Sequence, residues 1–377
     1  MTEAWLPLAG VKVVDFSMFV PGPFASAIFA DLGAEVIKVE APKGDPGRGY
    51  IPVQFATENR NKRAIALDLK NAGSAKVVGK LAQKADVVLE GFRPGVASRL
   101  GIDYETLKKH NPRLVYCSIS GYGQTGPWRE RPGHDVNYVA AAGGLAYPGQ
   151  WLGAPARSSI PVADMAGGSF AAIAVLAALH KRNETGKGAF LDLSLFEAGF
   201  FWAAMRHGLD PGVDPRAHIF PVNDVFETAD GQRLTLGILE EHFWENFRRI
   251  VPGFDDERFA SDAKRRANGD ALASLLKETF LKKTAAEWIA LLEANDIPVD
   301  LCVTPAAAAA SNKQLVERQA SDRGFATFPV FAGGRRGGKL RRGVPKLGEH
   351  TREILVELGF DDAEVADLIK NKSVVTG

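Results

Sequence analysis

Short apolar runs alternate with segments of helical period through the first two hundred residues. VKVVDF (11–16) reads as a short, mostly apolar strand of the buried type. SMFVPGP turns the chain. FASAIFADLG follows with helical spacing and Gly33 where a C-cap belongs. AEVIKVE is a second strand, so the chain opens with a β–α–β unit, the start of a doubly wound sheet. Residues 41–58, punctuated by APKGDPGRGY, read as a loop. Next come the strand AIALDL, an amphipathic helix over 73–85, and the strand ADVVLEGF with its turn Phe92-Arg93-Pro94-Gly95. LVYCSIS is another strand, with an exit loop carrying Gly121, Gly123 and Gly126. The apolar run SFAAIAVLAALH is too short to span a bilayer and reads as a buried helix; AFLDLSL is a further strand.

The pattern changes near residue 207. HGLDPGVDPRAHIFPVND carries little periodicity, VFETADGQRLTLGI reads as a hairpin turning at Asp230-Gly231, and residues 254–300 read as charged helices. The tail GEHTREILVELGFDDAEVADLIKN holds two short helices that pack back on the first domain. The fold class expected is α/β: a Rossmann-like large domain built from both chain ends plus a smaller α+β domain. The expected boundaries are 1–205 for the first part of the large domain, 206–221 for a linker, 222–305 for the small domain, 306–330 for a second linker, and 331–377 for the return to the large domain.

Composition narrows the function classes. Of 377 residues, 46% are apolar and 24% charged, an ordinary globular balance, and the net charge of +1 argues against nucleic-acid binding by bulk charge. Cys117 and Cys302 lie far apart without metal-ligand spacing, which suits a reducing compartment. MTEAWLPLAG has no apolar signal core, so a cytoplasmic protein with no membrane partner is expected. The first β–α turn lacks GxGxxG and carries Pro21 and Pro23, so the nicotinamide or flavin site usual for this sheet is not expected. Ala189 after Gly186-Lys187-Gly188 excludes a P-loop. No metal is expected.

Candidate chemistry concentrates in RPGHDVNYVAAAGGLAYPGQWLGAPARSSIPVADMAGG (131–168). His134 and Asp164 each stand at the edge of an apolar segment. Together they can supply a base and an acid, since histidine titrates near neutrality and a partly dry carboxyl is raised towards that range. The plainer readings are a turn histidine and a helix N-cap aspartate. Arg60, Lys62 and Arg63 are either a solvated charge run or a phosphate anchor, because Arg forks match phosphate oxygens. The basic turns around Arg335, Arg336, Arg341 and Arg342 are either an exposed hairpin or a further phosphate contact. Arg93 follows a strand end, where ligands of open α/β sheets bind.

Several of these segments, in this order, resemble the family III CoA-transferases (CaiB/BaiF type), the superfamily that includes α-methylacyl-CoA racemase. The resemblance is carried by LAGVKVVDFSMFVPGPFASAIFADLGAEVIKVE, NRNKRAIALDLK, ADVVLEGFRPG, SISGYGQTGP, ADMAGG, TGKGAFLDLSLFEA and LGEHTREIL, and covers nearly the whole chain. It implies coenzyme A as the thioester substrate's handle, an acyl-CoA substrate, and an interlocked homodimer. It also implies one of two chemistries. In a transferase, Asp164 attacks the thioester and a mixed anhydride passes the acyl group on. In a racemase, Asp164 and His134 exchange the α-proton across two faces, and donors stabilise the enolate.

GHDVNY looks like the racemases' motif and places His134 thirty residues before Asp164, as in that group. Residues 222–300 also lack the run of consecutive glycines some transferases use as a lid. ILEEHF resembles the racemase segment whose glutamate supports the histidine, which implies Glu240; Glu241 replaces the proline that follows there, so the motif does not separate Glu240 from Glu241. NRNKR is common among the transferases, and Tyr147-Pro148-Gly149 departs from both groups. For CoA the resemblance implies Arg63, Ala66 and Leu67 near adenine and ribose phosphate and Arg93 at the pyrophosphate; Lys38, at the end of the second strand, either reaches the 3′-phosphate or pairs with Glu40 or Asp68. AYPGQWLGAPARSS would shape the acyl pocket, with Tyr147 and Trp151 as walls. The racemase is the favoured reading, the transferase the alternative, and a CoA-ester binding protein without turnover the third.

Overall fold

The computed structural model describes residues 4–377, which form two compact units. The first comprises the chain up to 142, then 159–202 and 312–377; the second comprises 143–158 and 203–311. The segment 143–158, inside the first expected domain, thus belongs with the second unit, and the return to the first begins at 312 rather than 331.

The first unit is built on a seven-stranded sheet. Its strands are β1 (Lys12–Asp15), β2 (Glu35–Glu40), β3 (Arg63–Leu67), β4 (Val87–Glu90), β5 (Val115–Ser120) and β6 (Ala189–Ser194), with Val374–Val375 added at one edge. The order is Val374–Val375, β3, β2, β1, β4, β5, β6; all pairs are parallel except the first. Strand order reverses between β1 and β4, the switch point at which doubly wound sheets leave a crevice beyond their carboxyl ends.

Alternate strand residues face opposite ways. Val14, Phe16, Ile65, Leu67 and Val88 meet the helix Ser74–Lys84 and the C-terminal helices Thr351–Glu357 and Asp362–Lys370 in one core. Each fully buried Ile or Leu there contributes about 1.5–3 kcal/mol relative to exposure. Helix α1 (Pro21–Asp31), α2 (Asp135–Ala141) and the long α3 (Val162–Thr185) complete the site's frame. α3 is long and apolar enough to cross a membrane by length and composition alone; here it packs on α1, β5 and β6.

Two expectations need correction. Residues 41–58 are not a plain loop: Gly47–Tyr50 and Pro52–Asn59 are helical, and Pro52 opens its helix at the first position, where a missing N–H costs nothing. The cations of NRNKR are not a solvated run: Arg60, Lys62 and Arg63 are each ion-paired. Lys62 is fully buried, pairs with Asp15 (3.4 Å), and donates to Asn59 Oδ1 (2.9 Å) and the Pro23 carbonyl (3.0 Å). Burial lowers its pKa to about 8. Arg60 is bound to Asp31, and Asn61 Oδ1 accepts from the backbone of Arg341 (2.7 Å) and Arg342 (2.9 Å). Arg342 also bonds His350 (3.0 Å), and buried Arg336 donates to Thr327 (2.6 Å). The two basic stretches therefore fasten the C-terminal segment to the start of β3 and the end of α1.

The second unit holds an antiparallel sheet of β7 (Asn223–Glu227), β8 (Arg233–Gly237) and β9 (Val299–Leu301) in that order, with the predicted turn at Gly231. Trp244, Phe247, Phe254, Phe280 and Trp288 fill its core. Trp151 is pinned into the same unit: its N–H donates to Asp224 (2.8 Å) and its indole to Asp270 (2.9 Å).

Candidate active site

Gly133, Asn137 and Tyr138 of GHDVNY place His134. Gly133 has no room for a side chain, since a Cβ would lie 2.6 Å from the Tyr138 ring. The Tyr138 hydroxyl donates to the Gly133 carbonyl (2.6 Å), which fixes the turn. Tyr122 meets Tyr138 edge-on at 5.2 Å and Trp128 at 5.4 Å, so the turn rests on an aromatic base. Asn137 accepts from the His134 N–H (3.0 Å), which makes His134 the N-cap residue of α2. Its imidazole is exposed.

Asp135 provides the link to the second catalytic candidate. α3 begins after Pro161, a residue with no side-chain acceptor to cap it. The buried Asp135 carboxylate caps it instead, accepting from the N–H groups of Ala163 (2.8 Å) and Asp164 (3.3 Å). One carboxylate, covalently next to His134 and hydrogen-bonded to the backbone of Asp164, thus brings the two candidates together. Asp164 is not the N-cap that a lone aspartate before a helix suggests. It lies inside the first turn, half-buried, where the helix dipole favours its charge. Burial first, and then the Asp164 charge, push the Tyr138 phenol up to about 12.

The glycines of ADMAGG serve close packing. A Cβ on Gly167 would lie 2.3 Å from Leu195, and one on Gly168 would lie 2.8 Å from the Pro21 carbonyl.

A cavity of about 620 Å³ opens beyond the carboxyl ends of β1, β2, β3 and β4, at the switch point. Ser17, Met18, Lys38, Leu67, Phe92 and Arg99 are among its walls, and Asp45, Asp68 and Lys70 lie at the same surface. Of the residues predicted to hold CoA, Lys38 and Leu67 line it. Lys38 is fully buried and pairs with Asp45 (2.8 Å), not with Glu40 or Asp68. Ala66 is interior to the sheet, its N–H bonded to Thr351 (3.3 Å). Arg63 begins β3, at the other end of the strand, and is held by Glu353 (2.7 Å) and Glu357 (2.6 Å). The structure therefore does not bring Arg63 or Ala66 to the cavity. Arg93 is exposed, and its charge opposes the larger effect of burial on the Tyr138 phenol. Asp68, Lys70, Phe92 and Arg99 also line the cavity, beyond the strand ends where ligands of such sheets lie.

Glu240 and Glu241 belong to the second unit. Glu241 grips buried Arg265 with both oxygens (3.0 and 2.7 Å), which lowers its pKa. Glu240 is the exposed residue before helix α4 (Glu241–Ile250). Of the two, Glu241 is engaged by Arg265 within the second unit. Tyr147 packs on His207 (4.5 Å) and His218 (5.8 Å) within the second unit.

A doubly wound sheet with a cavity at its switch point and a histidine–aspartate pair on adjoining helix starts is the frame of an α/β enzyme. Residues 8–351 match the CoA-transferase family III, and the chain belongs to that family. It is 33% identical to acetyl-CoA:oxalate CoA-transferase of Acetobacter aceti, over 95% of this chain and 97% of that protein. It is 31% identical to human α-methylacyl-CoA racemase, over 98% of each. Among solved structures, a CaiB/BaiF family protein from Brucella suis superposes with a TM-score of 0.83 at 31% identity, covering 93% of this chain and 99% of that one.

Proposed function

We propose that the protein is a 2-methylacyl-CoA racemase or epimerase working by two-base proton transfer. The observation that carries this reading is the Asp135 bridge, which sets a histidine beside the family's aspartate. One of His134 and Asp164 removes the α-proton and the other returns a proton to the opposite face. The enolate oxygen needs donors, and the backbone N–H groups of Asp135 and Val136, which open α2 beside His134, are assigned to it. Glu240 is assigned to support the imidazole. CoA occupies the switch-point cavity, with Lys70 and Arg99 meeting its phosphates and Lys38 held in reserve by Asp45. The second reading, a CoA-transferase acting through an Asp164 mixed anhydride, is favoured by relatives of that activity at equal or higher identity. An interlocked cytoplasmic homodimer completes the proposal; Ile173, Phe200 and Phe201 are exposed apolar residues of the first unit for a second copy to cover.

The test is incubation with a 2-methylacyl-CoA in deuterated water without an acceptor acid. Deuterium is expected at the α-carbon, and His134→Gln should slow its entry by about 10²–10⁴-fold. No incorporation, together with CoA transfer once carboxylic acids are added, overturns the racemase in favour of the transferase. For the handle, the double change Lys70→Ala with Arg99→Ala should weaken CoA binding about tenfold or more in calorimetry, through lost charge-assisted bonds. Arg63→Ala should leave it within about twofold. The opposite ranking would move the phosphates to the start of β3.

A further inference from the structure

Phe19 is a bulky residue in the left-handed region (φ 59°), in the turn between β1 and α1. Such a residue is held against its own preference, and outliers of this kind gather at ligand sites. Its neighbours enforce the turn. Ser17 donates its backbone N–H to buried Asp15 (2.9 Å), and its hydroxyl is bound to the same carboxylate. Asp15 is held in turn by Ser26 and Lys62. Gly22 closes against Ser17 so tightly that a Cβ would meet its Oγ at 2.1 Å. The ring so presented is nearly half exposed (47%), and no ring pair among the described residues involves it.

Its position is bracketed from both sides. Ser17 and Met18, immediately before it, line the switch-point cavity. Pro21, two residues after it, has its carbonyl against Gly168, and Phe24 packs on the same spot. Gly168 follows Asp164 by four residues, so both lie on one face of α3, a single turn apart. Phe19 therefore stands where the cavity gives way to Asp164, the stretch in which a thioester's acyl group would lie.

We propose that Phe19 is a specificity-determining residue. Its ring is an apolar wall at the acyl carbon, and it selects acyl groups with an apolar chain over short dicarboxylic ones. This rests on the acyl-CoA reading above and names the substrate class of that site. A carboxylate brought against a phenyl ring loses water without gaining a partner, whereas an alkyl branch gains contact.

The test measures binding, so it stands apart from which reaction is catalysed. Affinities for free CoA, isobutyryl-CoA and succinyl-CoA are compared in the wild type, Phe19→Ala, Phe19→Leu and Phe19→Gly. The wild type should prefer isobutyryl-CoA over succinyl-CoA by about tenfold or more. Phe19→Ala should cut that preference to about threefold or less with free CoA unchanged within about twofold, and Phe19→Leu should keep most of it. Phe19→Gly suits the backbone angle, so it keeps the experiment readable if the alanine variant folds poorly. A preference that survives in full in both the alanine and glycine variants overturns the proposal, as does its equal loss in the leucine variant. Failure of the α-exchange assay with the preference lost as expected would sink the racemase alone.

Discussion

Asp164→Asn should abolish turnover, with a fall of about a thousandfold or more, and leave the fold and the affinity for free CoA nearly unchanged. The amide has the shape of the carboxylate but can neither accept a proton nor attack a thioester. Positioned general acid–base groups supply about 10²–10⁴ in rate, and a lost covalent nucleophile costs at least as much. The stability cost is small for a physical reason. The Asp164 N–H, bonded to Asp135, belongs to the backbone and survives the change. What is lost is a charge in the first turn of α3, worth about 0.3–1 kcal/mol against the helix dipole. Exchange kinetics, calorimetric CoA binding and thermal unfolding on one preparation separate these effects. A variant within about tenfold of wild-type activity would remove Asp164 from both proposed chemistries.

Local pattern and remote pairing explain what the sequence could reveal. The strands of the first unit are legible because a strand buried on both faces is mostly apolar, as the Val87–Leu89 and Val13–Val14 runs are. Residues 47–59 are not, because Gly47, Gly49 and Pro52 punctuate loops and helix starts alike. The burial of Lys62 and Arg60 is invisible locally, since their partners Asp15 and Asp31 lie 47 and 29 residues away. The same holds for 143–158, whose anchors Asp224 and Asp270 lie 73 and 119 residues from Trp151. Motif and spacing mark His134 and Asp164 as candidates in the sequence. Asp135, between them in role, was read only as a letter of the motif. A side-chain cap normally comes from the residue at the helix start, and here it comes from 28 residues upstream.

That displaced cap yields the second large effect. Asp135→Ala should lower stability by about 1–2 kcal/mol, the range for losing a helix N-cap, and the site's burial places the loss at the upper end. Its effect on catalysis should be larger. The carboxylate is a hydrogen-bonded tie between the turn that carries His134 and the helix turn that carries Asp164, made through backbone N–H groups. Without it the start of α3 can move by about an ångström, and misplacement of that size costs on the order of 10²-fold. Asp135→Asn keeps an acceptor oxygen at the same distance and should recover most of both losses. A purely structural residue would show a fall in unfolding temperature with normal exchange kinetics in the fraction that remains folded. A positioning residue shows the reduced rate at temperatures where the variant is fully folded, with free CoA bound as tightly as by the wild type, because the cavity walls at Lys38, Leu67 and Arg99 do not depend on the cap. If Asp135→Ala instead exchanges the α-proton at the wild-type rate while folded, His134 and Asp164 are held by something other than their shared aspartate.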